Sequence, residues 1–163
     1  MPDDGRRREL IDGTLIVNPA PRTLHQRVSA RLMVLLANAC PPELEVLAAP
    51  LDYKVSDHTM LIPDLTVARK SDYGLLRLEK TPLLVIEIRS PSTARLDLGT
   101  KRLTYEAAGV PSYWIVDPDE PSVLVLELVD GAYVERALAV GTDEFNATAP
   151  FPVRIVAVDL VSD

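Results

Sequence analysis

The chain has 163 residues, of which 47% are hydrophobic and 25% charged, a composition typical of one globular domain over residues 1–163 and unlike a disordered or fibrous chain. The formal net charge of −7 argues against a large basic surface, and the single cysteine, Cys40, excludes an internal disulfide and a multi-cysteine zinc site. Neither a signal-peptide pattern nor a run of about 20 apolar residues occurs, so we expect a cytoplasmic protein without a membrane span.

The first third of the chain predicts a hairpin, a helix and two strands. Residues 9–11 and 15–17, which are apolar except for Glu9, flank Asp12-Gly13, a pair that favours a tight hairpin turn. Thr23 and Gln26 resemble a capping box, and apolar residues recur behind them at helical spacing over residues 24–39. Residues 45–55 and 61–68 show the apolar content and alternation of strands.

The rest of the chain completes a mixed α/β pattern. Residues 83–88 form an unbroken apolar run apart from Glu87, which predicts a strand covered on both faces. A helical pattern over residues 97–109 ends at Gly109. Residues 113–116 predict a strand, residues 123–129 and 133–137 a second hairpin, and residues 153–161 a last strand. We therefore expect a central mixed sheet flanked by helices.

Two carboxylates stand out from this pattern. Glu87 lies inside a buried strand, where a charge needs a compensating partner, either a divalent cation or an Arg or Lys side chain. Asp64 follows Ile62-Pro63 and either opens a strand or belongs to a turn. If the two strands are neighbours, both carboxylates can converge on one ion.

The segments around these carboxylates carry a family resemblance. Ile62-Pro63-Asp64 with Glu87-Ile88-Arg89 resembles the PD-(D/E)XK nuclease motif, and the wider pattern is similar to the Uma family of restriction endonucleases within that superfamily. The further matching pieces, in chain order, are residues 9–13, His25, residues 90–93, Asp97, Lys101, Tyr105, Gly109-Val110 and residues 113–118.

This resemblance implies a restriction-endonuclease-like fold and a metal-dependent hydrolase that cuts phosphodiester bonds of nucleic acid, with DNA the expected substrate. It implies that Asp64, Glu87 and the main-chain carbonyl of Ile88 hold Mg²⁺ or Mn²⁺. A metal there could polarise a phosphate and lower the pKa of a bound water.

The lysine of the motif is replaced by Arg89, which is two residues beyond Glu87 and so faces the same side of a strand. An arginine could stabilise developing negative charge but could not act as a base. The resemblance assigns the lysine role to Lys101, which shares a predicted helix face with Asp97 and Tyr105. An ordinary exposed Asp-Lys pair is the alternative.

Three further features have weaker assignments. Glu9 either supplies a carboxylate that binds a second ion or orients water, or it is a solvated residue of the hairpin. His25 either touches substrate or is exposed in the first helical turn. The run Arg6-Arg7-Arg8 is interpreted as a solvated terminus, with phosphate contact as the alternative.

Other function classes remain open at this stage. The acidic charge and the missing strand lysine also fit a catalytically inactive nuclease-like module for binding or assembly, and the carboxylates alone would also suit a hydrolase of small phosphoesters. The apolar strand over residues 123–128 could be a sheet edge that pairs two chains into a homodimer.

Overall fold

A computed structural model describes residues 7–90 and 97–162; the side chain of Asp97 is also outside the description. Thirteen strands are present in this part of the chain: β1 Arg7–Ile11, β2 Thr14–Asn18, β3 Leu44–Ala48, β4 Asp52–Ser56, β5 Thr59–Leu61, β6 Leu65–Arg69, β7 Arg77–Leu78, β8 Leu84–Ile88, β9 Ser112–Asp117, β10 Ser122–Val129, β11 Ala132–Val140, β12 Glu144–Ala147 and β13 Val153–Val156. The helices are α1 Thr23–Ala39 and α2 Arg102–Ala107, the latter preceded by a wide π-helical turn, Asp97–Lys101. Short 3₁₀ turns cover Lys70–Asp72 and Ala157–Leu160.

A six-stranded mixed sheet forms the centre, with strand order β11-β10-β9-β8-β6-β3. Strand β8 lies inside it, parallel to β9 and antiparallel to β6. All five residues of β8 are buried, as its apolar run predicts. The fold prediction of a mixed α/β chain with a central sheet and flanking helices is confirmed.

Both faces of the central sheet are covered. One face packs against α1 and the β12-β13 hairpin, with Val28, Leu32 and Leu36 of the helix fully buried. The other face packs against α2 and a second sheet of order β2-β1-β5-β4-β7. No helix among the described residues is long and apolar enough to cross a membrane.

Both predicted hairpins are confirmed, and their turns show why the sequence favours them. Asp12 and Gly13 have φ values of 48° and 78°, and Asp130 and Gly131 have 50° and 83°. Positive φ at both central residues is what a two-residue hairpin turn requires, and Asp-Gly adopts it at little cost.

Several element predictions need correction. The strand predicted over residues 45–55 is two strands in different sheets, β3 and β4, because the chain turns at Pro50, which has no N–H to donate to a ladder. The strand predicted over residues 153–161 ends at Val156, after which the buried Ala157 and Leu160 follow at the three-residue spacing of a helical turn. Thr23 does not cap α1, because Arg22 occupies the N-cap position and no side chain caps the helix.

The predicted sheet edge also lies elsewhere. Strand β10, which contains residues 123–128, is paired on both sides, with β9 and with β11. The outer position on this side of the sheet belongs to β11, most of whose residues are exposed.

Candidate active site

Asp64 lies at the end of the central sheet, immediately before β6. The register of β6 and β8 pairs Leu65 with Ile86, so its continuation by one residue brings Asp64 opposite Glu87. Neighbouring strands therefore carry the two predicted carboxylates to the same end of the sheet. Both side chains are almost fully buried, as Asp64 is 5% and Glu87 3% exposed.

The carboxylate of Asp64 is held by donors from three elements. Its Oδ2 accepts a hydrogen bond from the Ile88 N–H at 2.8 Å and lies 3.1 Å from His25 Nε2. Its Oδ1 accepts one from Arg7 Nη1 at 3.0 Å. Burial by itself would raise the pKa of Asp64, but His25, the charge of Arg7 and the Ile88 N–H outweigh it and hold this pKa below the ordinary 3.8.

Glu87 is compensated by two side chains from the segment that includes the π-helical turn and α2. Lys101 Nζ lies 2.9 Å from Glu87 Oε1, and the hydroxyl of Tyr105 donates to the same oxygen at 2.7 Å. Burial, reinforced by the charge of Glu87, raises the pKa of Tyr105 well above its ordinary 10, so the hydroxyl keeps its proton and donates. The structure thus brings Lys101 and Tyr105 together on Glu87; the side chain of Asp97, predicted on the same face, is outside the described residues.

Glu9 joins the same cluster from β1. Its Oε1 lies 3.0 Å from Lys101 Nζ and accepts the Ile62 N–H at 2.8 Å, while its Oε2 accepts a hydrogen bond from Asn18 Nδ2 at 2.6 Å. Glu9 is 1% exposed, so it is not a solvated hairpin residue. Lys101 contacts both Glu9 and Glu87, and its side chain is 4% exposed, so it is not part of an ordinary exposed Asp-Lys pair.

Arg7 is a residue of the site that sequence reasoning missed. It was interpreted as part of a solvated terminus, yet its guanidinium binds Asp64 and donates to the Ile62 carbonyl at 3.0 Å. The available signal was its position two residues before Glu9, which puts both side chains on one face of β1. Asn18 was missed as well, and it lies opposite Arg7 in the β1-β2 register, diagonal to Glu9.

His25 and Arg89 contact different acidic residues. His25 is buried in the first turn of α1 and contacts Asp64, so the expectation of an exposed ring does not apply. Arg89 places its guanidinium 2.6 Å from Asp117 Oδ2, at the ends of β8 and β9. The structure pairs Arg89 with Asp117. This contact does not test a catalytic role for Arg89, which stays a prediction.

A cavity of about 330 Å³ gives access to the carboxylates. Its lining includes Arg7, His25, Asp64, Glu87 and Lys101. Its remaining wall consists of Asn18, Pro19, Ala20, Pro21, Arg22, Ile62, Ile88 and Ser90. The space is concave, partly apolar and lined by converging charged groups, which is the usual character of a small-ligand or catalytic site.

The donor set fits a magnesium-type ion better than a zinc-type ion. Within residues 7–90 and 97–162, no three His, Cys, Asp or Glu side chains are grouped as ligands for one metal. Mg²⁺ is commonly held by one or two carboxylates, with waters and substrate oxygens completing its shell. Asp64 and Glu87 line one cavity at the same end of the sheet, together with Ile88, and fit that requirement.

The chain matches a family model and the fold of a solved structure. The family model Uma2, described as a putative restriction endonuclease, matches residues 1–159. A crystal structure of a putative nuclease belonging to DUF820 from Anabaena variabilis ATCC 29413 has a similar fold, with a TM-score of 0.74 and 21% sequence identity. The match covers 99% of this chain and 93% of that one. None of the curated proteins matches the chain significantly.

Proposed function

The chain belongs to the Uma2 family, and we propose that it is a metal-dependent endonuclease that hydrolyses phosphodiester bonds of DNA with Mg²⁺ or Mn²⁺. The nuclease assignment follows the family. The metal, the substrate and the residue roles are the parts that the proposal adds.

The observation that carries the proposal is the pair of buried carboxylates at one end of the central sheet. Asp64 and Glu87 come from adjacent strands and line the same cavity. Burying such charges costs several kcal/mol unless they are compensated, as they are here by Arg7 and Lys101. Buried charged groups that line a cavity are candidates for a chemical role. A purely structural ion pair would not need to open onto a cavity.

We assign the metal to Asp64, Glu87 and the main-chain carbonyl of Ile88. The Ile88 N–H points at Asp64, and the N–H and C=O of one strand residue leave the strand on the same edge, so this carbonyl also faces Asp64. A divalent cation bound there would polarise the phosphate and lower the pKa of a coordinated water.

The other site residues act on the carboxylates or on the substrate. Lys101, fixed between Glu9 and Glu87, would supply positive charge to the phosphate in its transition state. Tyr105 and Glu9 orient Glu87 and Lys101, and His25 orients Asp64. Arg89 would act electrostatically from the end of β8, as its permanent charge precludes proton abstraction.

The decisive experiment compares wild type with Glu87→Gln in cleaving plasmid DNA and single-stranded DNA, with Mg²⁺, Mn²⁺ or EDTA. Glutamine keeps the shape of the side chain and removes its charge, so metal-dependent cleavage should be lost. Glu127→Gln is the matched control, because Glu127 pairs with Arg136 on the surface and lies outside the cavity. It should cleave as wild type does.

Equal cleavage by wild type and Glu87→Gln would overturn the assignment of Glu87. No cleavage by any variant, with no Mn²⁺ binding, would favour a catalytically inactive module for binding or assembly, since the buried Lys101 and Arg7 ion pairs already compensate the carboxylates without metal. Cleavage of small phosphoesters but not of DNA would move the assignment to that class of substrate.

A homodimer is part of the proposal. Strand β11 is the outer strand of the central sheet and exposes Val134, Leu138 and Val140, which are 43%, 54% and 51% exposed. A long apolar edge of this kind is a template for pairing with a second chain. Pairing by β11 would bring two active sites into one particle for a cut in both strands.

A further inference from the structure

We propose that Arg7 competes with the metal ion for Asp64 and, once the metal is bound, turns to hold the phosphodiester of the substrate. This inference rests on the metal site proposed above. It assigns a substrate-binding role to a side chain that serves as a counter-ion of Asp64.

The two oxygens of Asp64 are used differently. Oδ2 receives the Ile88 N–H and faces His25, and both of these residues are buried. Oδ1 receives the guanidinium of Arg7 at 3.0 Å. Oδ1 is therefore the oxygen best placed to bind a metal, and Arg7 is the group that the metal would meet there. Two cations on one carboxylate oxygen repel each other, and the guanidinium does not lose its charge.

Arg7 is free to move in a way that Lys101 is not. The side chain of Arg7 is 23% exposed and lines the cavity, whereas that of Lys101 is 4% exposed and fixed between two carboxylates. The Nε of Arg7 has no hydrogen-bond partner, so the two contacts of its terminal nitrogens hold the guanidinium in place. Rotation about side-chain bonds would release both contacts and leave the β1-β2 ladder intact.

A divalent ion would change the balance of charge in the cluster, and with it the attraction for an anionic substrate. With the carboxylates ionised and Lys101 protonated, Glu9, Asp64 and Glu87 carry three negative charges against the two positive charges of Arg7 and Lys101. His25 beside Asp64 and Arg22 in the cavity wall belong to the same surroundings. A divalent ion adds two positive charges there, so a negatively charged phosphodiester should bind more favourably after the metal than before it.

The guanidinium of Arg7 is suited to bind a phosphate once it has left Asp64. Its forked donors match the oxygens of a phosphate as well as they match a carboxylate. Arg7 and Asp64 line the same cavity, so the arginine needs only a short movement to pass from the carboxylate to a phosphate bound beside it. The metal would thus create the phosphodiester subsite by releasing the residue that forms it.

The test begins with Mn²⁺ titration by calorimetry, without substrate, of wild type, Arg7→Ala, Arg7→Gln and Arg7→Lys. Both uncharged variants should bind Mn²⁺ about tenfold more tightly than wild type, a change of about 1.4 kcal/mol. Arg7→Lys should stay near wild type because it keeps the charge. Arg22→Ala is the control, since Arg22 lines the same cavity but pairs with Asp119, and its Mn²⁺ affinity should not change.

The second measurement is steady-state cleavage of an oligonucleotide at saturating Mn²⁺. Arg7→Ala should raise KM about tenfold or more and change kcat less, because it removes a contact to the bound phosphodiester. Weaker Mn²⁺ binding by the uncharged variants, or an unchanged KM, would overturn the inference while the metal site stood.

The failure of the proposed function gives a different result. If wild type and all the Arg7 variants bound no Mn²⁺, the metal site and this inference would both fall. If the uncharged variants bound Mn²⁺ more tightly and no protein cleaved DNA, the competition at Asp64 would be upheld and the nuclease assignment would fall.

Discussion

The ammonium of Lys101 lies 2.9 Å from Oε1 of Glu87, and both side chains are about 4% exposed. A lysine from the turn before α2 therefore compensates a carboxylate near the end of β8, an inner strand of the central sheet. The same ammonium contacts Glu9 at 3.0 Å, so one positive charge holds together residues that are far apart in sequence. The stability of the sheet and the chemistry of the site depend on the same contacts.

Replacing Lys101 by alanine should lower stability and turnover far more than it changes metal affinity. The variant leaves Glu9 and Glu87 buried without their shared cation, so we expect a loss of about 3–5 kcal/mol in the free energy of unfolding. Cleavage should fall far more than Mn²⁺ affinity changes, because in the proposed mechanism Lys101 acts on the phosphate and is not a ligand of the metal. Urea unfolding, Mn²⁺ titration and cleavage assays on the same preparation measure the three quantities.

The control for that experiment is Lys80→Ala. Lys80 pairs with Asp72 at the surface at 2.9 Å and is 68% exposed, so its removal should cost less than about 1 kcal/mol. If Lys101→Ala cleaved DNA as wild type does, Lys101 would have no part in the mechanism.

Tyr105→Phe tests the hydrogen bond to Glu87 separately from the charge. The hydroxyl donates to a buried carboxylate at 2.7 Å, and its loss leaves part of that charge unsatisfied, so we expect about 1.5–3 kcal/mol of destabilisation. Tyr133→Phe is the matched control, since its buried hydroxyl donates to the neutral Val110 carbonyl at 2.9 Å. It should cost about 0.5–1.5 kcal/mol in the same urea experiment. Equal losses would mean that the charge of Glu87 adds nothing to the bond.

Each member of the carboxylate pair could be predicted from the sequence, because each stands out from the residues around it. A buried glutamate in an apolar run and an aspartate at a strand start are visible in a single sequence, and the β6-β8 pairing fulfils the expectation. The partners of these carboxylates were harder to predict. Arg7 reaches Asp64 across 57 residues, and its one local signal, the position two residues before Glu9, does not indicate Asp64 as its partner.

The fold shows the same division between local and long-range information. The Asp-Gly hairpins and the helix over residues 24–39 depend on neighbouring residues and were predicted correctly. The division of residues 45–55 between two sheets depends on which strands pair with each half, β6 with β3, and β5 and β7 with β4. Periodicity contains no information about those partners.

The stability contributed by Asp64 should depend on pH in a defined direction. Its pKa is lowered in the folded protein, so its contribution is fully present above pH 3.8 and is lost as the pH falls through the lower folded value. The difference in unfolding free energy between wild type and Asp64→Asn should therefore shrink as urea titrations move from pH 6 to pH 3. Asp57→Asn is the control, because Asp57 pairs with Lys54 in full contact with solvent and its removal should have little effect. A difference that grew towards pH 3 would contradict the assignment.

Arg89 and Asp117 should behave as a pair. Their 2.6 Å contact joins the ends of β8 and β9, so Arg89→Ala and Asp117→Asn should each lower cleavage, and by less than Lys101→Ala does. In a double-mutant cycle, the second substitution should then add little to the first. If Arg89→Ala abolished cleavage while Asp117→Asn left it intact, Arg89 would act on the phosphate directly, as its place in the motif predicts.

The edge of β11 makes the oligomeric state testable. If two chains pair through this strand, wild type should sediment as a dimer at micromolar concentrations, and Leu138→Lys should sediment as a monomer because a charge at the apolar edge opposes pairing. Val34→Lys is the control, since Val34 is 61% exposed on α1, away from the sheet edge, and its dimer should persist. A monomeric mass for wild type across this concentration range would remove the homodimer from the proposal. The active site could still be complete, because Asp64, Glu87 and Lys101 all come from one chain.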